Sequence, residues 1–417
     1  VLDAHVLMHI FIIFAYILVH MEELLEISEI LIRKVPVGFK RYLYSKINWN
    51  NRLVGIKGAR GVGKTTMLLQ WLKSVKKPFT EIAYLSLDDI YFTTHSLLDT
   101  ARSFYQQGGK VLVLDEVHKY ASWAREIKNL YDRYPDLQII FTGSSIIDIS
   151  KQEADISRRV VMYELSGLSY REYLELHYNL RFPVIQLEEI LSPATSLRDE
   201  FSFDFKPLAY FKEYLQYGYY PFFTEGKENY FQRIKQLVRT VIESDMAELK
   251  GFDIRHAKKM LQLMYIISQA VPFKPNINDL SRKSQIHRNT IRSYIHFLHE
   301  ARLVDLLFPS TKGVAALQKP EKIYLNNTNL LYAISEQAPS TGTIREVFFN
   351  NQLTVSHKIA YSTRTDFVIN NKYHFEIGGK NKTKKQIQGL ENAWIVKNDM
   401  EFPASGTLPL WMFGFLY

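Results

Sequence analysis

Gly58-Ala59-Arg60-Gly61-Val62-Gly63-Lys64-Thr65 is a complete G-x-x-x-x-G-K-T phosphate-binding loop, and its flanks decide how it folds. The apolar run Leu53-Val54-Gly55-Ile56 precedes it, and the helical pattern Thr66-Met67-Leu68-Leu69-Gln70-Trp71-Leu72 follows. That is the strand, loop and helix order the motif requires. The N–H groups of such a loop and helix start form a nest for anionic phosphates. Residues Gly58 to Thr66 are therefore the expected nucleotide contacts. Lys64 is suited to reach the β- and γ-phosphates, and the Thr65 hydroxyl to coordinate Mg²⁺.

Downstream, strands and helices alternate. Ile82 to Leu87 reads as a strand ending in Asp88-Asp89, and Leu97 to Gln106 as a helix. Lys110-Val111-Leu112-Val113-Leu114 is a buried strand delivering Asp115 and Glu116; Trp123 to Tyr131 is helical; Leu137 to Thr142 is a strand ending in Gly143-Ser144-Ser145. This rhythm predicts an α/β fold, a parallel sheet with helices on both faces and polar residues gathered where such sheets bind ligands.

In an ATP site Asp115 holds the hydration sphere of Mg²⁺ or a Thr65-linked water, and Glu116 orients the attacking water. An Asp-Glu pair at a plain solvent edge is the alternative. Thr142, Ser144 and Ser145 would lie beside the Asp115 strand, to sense the γ-phosphate or merely to cap a helix. Arg158 and Arg159 are candidates to neutralise the transferring phosphoryl group, in cis or across a subunit interface, or to make ordinary ion pairs. His118 either links Glu116 to movement or opens a helix. Arg60 is expected to face a partner or solvent.

At 417 residues the chain is too long for one ordinary core. The expected division is an apolar extension at 1–20, an ATPase core at 21–165, a helical region at 166–270, a winged-helix-like module at 271–310 and an α/β domain at 311–417. Leu24, Leu25, Ile27, Ile30 and Leu31 read as one apolar helix face. Val6 to Val19 is nearly all apolar but short for a spanning helix and without a basic leader. With Val1 in first place, the natural folded protein is expected to begin near Met21; a membrane or interfacial anchor is the other reading. The net charge of +9, from 52 basic and 43 acidic residues, points only weakly to nucleic acid. The absence of cysteine excludes disulfides and thiolate metal sites and fits a reducing, cytoplasmic setting. Tyr170, Tyr173, Tyr210, Phe211, Tyr214, Tyr217, Tyr219 and Tyr220 read as core or interdomain packing more than as a base-stacking surface.

These motifs resemble an archaeal and bacterial family of AAA-type P-loop ATPases carrying a C-terminal DUF4143 domain. The resemblance rests on Gly58 to Thr66, Leu114-Asp115-Glu116-Val117-His118, Phe141-Thr142-Gly143-Ser144-Ser145 and Ser157-Arg158-Arg159. Leu165-Ser166-Gly167-Leu168-Ser169-Tyr170-Arg171-Glu172-Tyr173, Arg345-Glu346-Val347-Phe348-Phe349 and Tyr373 to Lys380 complete it. It covers essentially everything after Met21 and implies an ATP-dependent switch or machine.

Asn276 to Leu307 reads as a helix-turn-helix followed by a wing strand, with Ile291, Ile295 and Leu298 inward and Arg288, Arg292 and His296 outward. Arg282, Lys283, His287, Arg288 and Arg292 suit DNA phosphates or base edges; a protein-docking role is the alternative. Further on, the order Glu346, Asp366, Glu376 and a nearby lysine looks like the PD-(D/E)xK nuclease arrangement, in which carboxylates converge on Mg²⁺. Gly378 stands where the lysine of E-x-K belongs, and Lys380 would move the ammonium about 7 Å along the strand. A nuclease-like scaffold without working nuclease chemistry is the expectation. Lys380 to Lys385 adds a basic patch.

Three functions follow. The first is Mg²⁺-dependent ATP hydrolysis driving or timing a change in a DNA- or protein-associated complex or homo-oligomer. The second is a nucleotide-regulated binding module with little turnover, and the third an ATP-regulated nuclease. A membrane partner is not expected.

Overall fold

A computed structural model of the chain describes residues 21–144, 156–192, 205–246, 254–269, 274, 276–310 and 319–417. Two compact units emerge, one of Val1–Gly58 with Gly63–Leu165, the other of Ala59–Val62 with Ser166–Tyr417. The expectations for Val6 to Val19 and for Ser145 lie outside the described residues.

The first unit is built on strands β1 (Leu53–Gly58), β2 (Ile82–Ser86), β3 (Val111–Asp115), β4 (Gln138–Ser144) and β5 (Val161–Glu164). All neighbours are parallel, in the order β2-β3-β4-β1-β5. The central strands are apolar on both faces because helices cover both, and Leu112, Leu114, Ile139 and Phe141 are essentially inaccessible. Gly55 sits where a Cβ would overlap Met162 Sδ on β5 and approach Phe141 Cζ on β4 to 2.7 Å. A side chain at 55 would have to displace the end of Met162 and crowd the Phe141 ring. The edge strand β5 is partly exposed and had no clear signal in sequence.

Residues 21–34 form a helix whose buried face differs from the expected one. Met21, Leu24, Ser28 and Ile32 are buried, whereas Ile27, Ile30 and Leu31 are exposed. Ser28 is on the buried face because its Oγ accepts the Tyr84 N–H of edge strand β2 at 2.8 Å. A polar side chain thereby satisfies a backbone donor that has no strand beyond it.

The second unit begins with helices. Ser169 and Glu172 form a capping box for the helix Tyr170–Tyr178. The helices Pro207–Tyr217, Tyr230–Thr240 and Ala257–Gln269 follow, with a wide π-type turn at Val241–Asp245. Tyr170, Tyr173, Phe211, Tyr214, Tyr219 and Tyr220 are buried, and Tyr210 and Tyr217 are half-buried. Helices Ile277–Ser284 and Arg288–Glu300 lead into an antiparallel pair, β6 (Val304–Leu307) with β7 (Lys322–Leu325). The terminal sheet contains β8 (Ile359–Tyr361), β9 (Phe367–Ile369), β10 (Tyr373–Gly378), β11 (Ala393–Lys397) and β12 (Thr407–Pro409). Their order is β12-β11-β10-β9-β8; β8, β9 and β10 run antiparallel, and β10, β11 and β12 parallel.

Candidate nucleotide site

Gly61 and Gly63 take φ values of 79° and 95°, which side chains with a Cβ rarely adopt, so the loop curls as the motif demands. Gly63 caps the helix Lys64–Ser74. Lys64 is buried and its Nζ donates to the Gly58 carbonyl at 2.9 Å, an ammonium held under the loop. A Cβ at Gly58 would overlap the Leu165 carbonyl oxygen, so a side chain there would force the backbone to shift.

Asp115, 2% exposed at the end of β3, organises the site. Its Oδ2 accepts from Thr65 Oγ1 at 2.6 Å and from the Tyr84 hydroxyl at 2.8 Å. Its Oδ1 accepts from Thr142 Oγ1 and from the Glu116 N–H at 3.0 Å. Four donors thus fix one buried carboxylate in place. Burial, then the charge of Asp115, pushes the Tyr84 phenol well above its ordinary pKa, so it stays a donor. In sequence Tyr84 reads as one aromatic in an apolar strand, and its hydroxyl carries no signal there.

Glu116 has φ 51° and ψ 40°, a left-handed conformation uncommon for a residue with a side chain. Its carboxylate Oε2 lies 3.3 Å from His118 Nε2, and the Ser144 N–H points to His118 Nδ1 at 3.4 Å. Ser144 is in turn the β4 partner of Gly58. His118 therefore connects Glu116 to the strand lying between the phosphate loop and β3.

The arginines fall elsewhere. β5 pairs with β1 in register Val54↔Val161, so Arg158 and Arg159 precede β5 at the amino edge of the sheet. Gly58 and the phosphate loop lie at its carboxyl edge, about 20 Å of strand away. Arg159 makes a two-pronged ion pair with Asp132, at 2.8 and 3.1 Å, and Arg158 is exposed. The expected role in cis is not met by this geometry. Arg60, expected to face a partner or solvent, pairs with Asp245 Oδ1 at 3.1 Å within the second unit, and the Asp245 side chain is almost fully buried.

The three carboxylates expected to converge on a metal, Glu346, Asp366 and Glu376, are each paired with a lysine. Lys322 Nζ lies 2.9 Å from Glu346 Oε2 and 3.4 Å from Asp366 Oδ1, and the Tyr324 hydroxyl donates to Glu346 at 2.7 Å. Asp366 also accepts the Ile377 N–H at 2.9 Å. Burial opposes the charge of Lys322, but Glu346 and Asp366 outweigh it and raise its pKa. Glu376 pairs with Lys382, not Lys380. A Cβ at Gly378 would lie 2.5 Å from Lys382 Cβ and Cγ, so the stem of Lys382 fills the space a side chain at 378 would take. A divalent cation does not fit between Glu346 and Asp366 while Lys322 is there. Among the described residues no group of three or more His, Cys, Asp or Glu side chains is arranged to hold a metal ion.

Among the described residues no helix is long and apolar enough to cross a membrane. Residues 208–341 match a domain of unknown function, DUF8612, and this replaces the DUF4143 expected from the motifs. The uncharacterized protein MJ1637 of Methanocaldococcus jannaschii is 25% identical over 289 residues. That alignment covers 66% of this chain and 61% of the other, so the chain spans less than two thirds of this relative. Among solved structures, AMPPCP-bound DnaA from Aquifex aeolicus is 16% identical with a TM-score of 0.25, over 62% of this chain and 84% of that one. The Hsp104-ADP complex of S. cerevisiae is 15% identical with a TM-score of 0.30, over 66% of this chain and 43% of that one. Residues 50–174 match a family model described as an AAA domain, and the chain accordingly carries an AAA-type P-loop ATPase domain followed by further α/β structure.

Proposed function

We propose that the chain hydrolyses ATP with Mg²⁺ and uses the cycle to drive or time a rearrangement in a DNA- or protein-associated complex. The observation that carries this reading is Asp115, fixed by four donors with the Thr65 hydroxyl 2.6 Å away and Lys64 buried under the same loop. Thr65 and Asp115 would hold Mg²⁺, which when bound neutralises charge on the phosphate oxygens. Lys64 and the loop amides bind the phosphates. Glu116, free of a strand ladder at the end of β3, accepts a hydrogen bond from the attacking water and aligns it. Ser144 and His118 register the state of that carboxylate. An arginine able to complete the clamp has to come from a source other than Arg158 or Arg159 of the same chain.

The terminal sheet is read as a nuclease-like scaffold whose carboxylates carry lysines in place of a metal. Phosphate release by the full chain, with Lys64→Met and Glu116→Gln as variants, tests the main reading. Turnover that persists undiminished in both variants overturns it.

A further inference from the structure

The helix Arg288–Glu300 carries a surface that the ATPase reading does not use. The preceding helix Ile277–Ser284 is capped by Asn276, whose Oδ1 accepts the N–H groups of Asn278 at 3.1 Å and Asp279 at 3.3 Å. Gln285, at φ 54°, turns the chain, and the Ser281 hydroxyl pins the turn by donating to the Ile286 carbonyl at 2.6 Å. His287 then caps the second helix through the Asn289 N–H. Leu280, Ile286, Ile291, Tyr294, Ile295 and Leu298 are buried between and beneath the helices. The register of the second helix is therefore fixed by its apolar side.

That register sends Arg288, Asn289, Arg292, Ser293 and His296 outward, all exposed, at a spacing that lays them along one helical face. The last turn of the preceding helix adds exposed Lys283. Acidic neighbours are few. Asp279 is occupied by Arg282 at 3.0 Å, and Glu300 lies at the far end of the helix, about 18 Å along the axis from Arg288. None of the large apolar side chains exposed among the described residues lies on this helix pair. A protein-docking face of this size normally presents some, whereas a phosphate-binding face does not need them.

We propose that this face binds duplex DNA, with the first turns of helix Arg288–Glu300 entering the major groove. A helix fits that groove, and its N-terminal residues are the ones that reach base edges. Lys283 and Arg288 contact phosphates. Asn289 and Arg292 are donors of the kinds that read adenine and guanine edges. The inference stands apart from the ATPase reading, since it asks nothing of the phosphate loop.

The test is fluorescence anisotropy of a labelled duplex with the full, nucleotide-free chain, titrated at about 50 mM and about 200 mM salt. Arg288→Ala with Arg292→Ala is expected to weaken binding at least about tenfold at low salt and to flatten the salt dependence by about two counterions. Both substitutions are at exposed positions, and an unchanged melting midpoint shows that the fold is kept. A control replaces Lys380, Lys384 and Lys385 with alanine and should bind like wild type. The proposal is overturned if the wild type does not bind the duplex at low salt or if the arginine variant binds as tightly. It is equally overturned if only the lysine control loses binding. Lys64→Met should leave this affinity untouched.

Discussion

Thr65 Oγ1 donates to Asp115 Oδ2 across 2.6 Å, joining the start of the loop helix to the end of β3 from positions fifty residues apart. The bond needs β1 and β3 to be held one strand apart by β4, so it reports that the sheet is correctly ordered. Replacing Thr65 by Ala removes one of four donors to Asp115 and should cost only about 1 kcal/mol of stability. ATP turnover is predicted to fall at least about a hundredfold, because the hydroxyl proposed to hold Mg²⁺ is lost. Phosphate release at saturating Mg²⁺, beside a denaturant melt, separates the two effects.

Glu116→Gln keeps the size and the left-handed backbone of this position but removes the charge. We predict turnover reduced by about two to four orders of magnitude with ATP binding retained. A fluorescent ATP analogue and a phosphate-release assay give the two numbers. If binding falls as far as turnover, Glu116 is part of the binding surface and the assigned role fails.

Gly58→Ala tests packing separately from chemistry. Its Cβ would overlap the Leu165 carbonyl, whose residue donates its own N–H to Lys57 O at 2.8 Å. The strand and that segment cannot part without losing this bond, so a loss of about 1–3 kcal/mol is expected. Lys64→Met should abolish nucleotide binding with a smaller loss of stability. Equal melting midpoints for Gly58→Ala and wild type would contradict the packing argument.

Burial lowers the pKa of His177, His357 and His374, aided at His177 by Lys227 and at His374 by Arg364. Each binds its proton more weakly in the folded chain than in the unfolded one. As pH falls through the ordinary histidine value of about 6.5, the unfolded state takes up protons first and stability drops. The loss should be complete once pH is below the folded values. Melting midpoints between about pH 7 and pH 5 should therefore decline, and His357→Asn with His374→Gln should flatten the decline. An identical slope in that variant would rule these two histidines out as its source.

Lys322→Met leaves Glu346 and Asp366 without their shared cation. Removing one partner of a buried pair typically costs about 3–5 kcal/mol, and a loss near the lower end is predicted because both carboxylates are partly accessible. Millimolar Mg²⁺ without nucleotide should restore part of that loss in the variant and leave the wild-type midpoint unmoved. A wild type stabilised as much as the variant would mean that the lysine does not occupy the cation position.

The sheet of the first unit was legible in sequence because it is buried on both faces. Strands such as Val111–Asp115 are short apolar runs with a polar end, and the loop motif fixes which end carries the site. The outer helix at 21–34 was misread because its buried face is set by an edge strand that needs Ser28, a contact with no periodic signal. The distance of Arg158 and Arg159 from the phosphate loop is hidden in the sequence for a related reason. Without β5, nothing in the sequence says at which edge of the sheet they stand. Tyr84 and Asp245 went unseen because a lone aromatic or acid becomes informative only once its partner is known. Lys380 was the natural choice under strand alternation, but the chain leaves the strand at Gly378 and its next turn brings Lys382 back over it.

The nesting of Lys382 over Gly378 constrains the order in which this region can change. A lysine placed at 378 would collide with the stem of Lys382, and a lysine lost at 382 would strand Glu376. Either change made alone therefore loses packing or an ion pair that the present arrangement has. Homologous chains should therefore carry lysine at one of these two places and a small residue at the other.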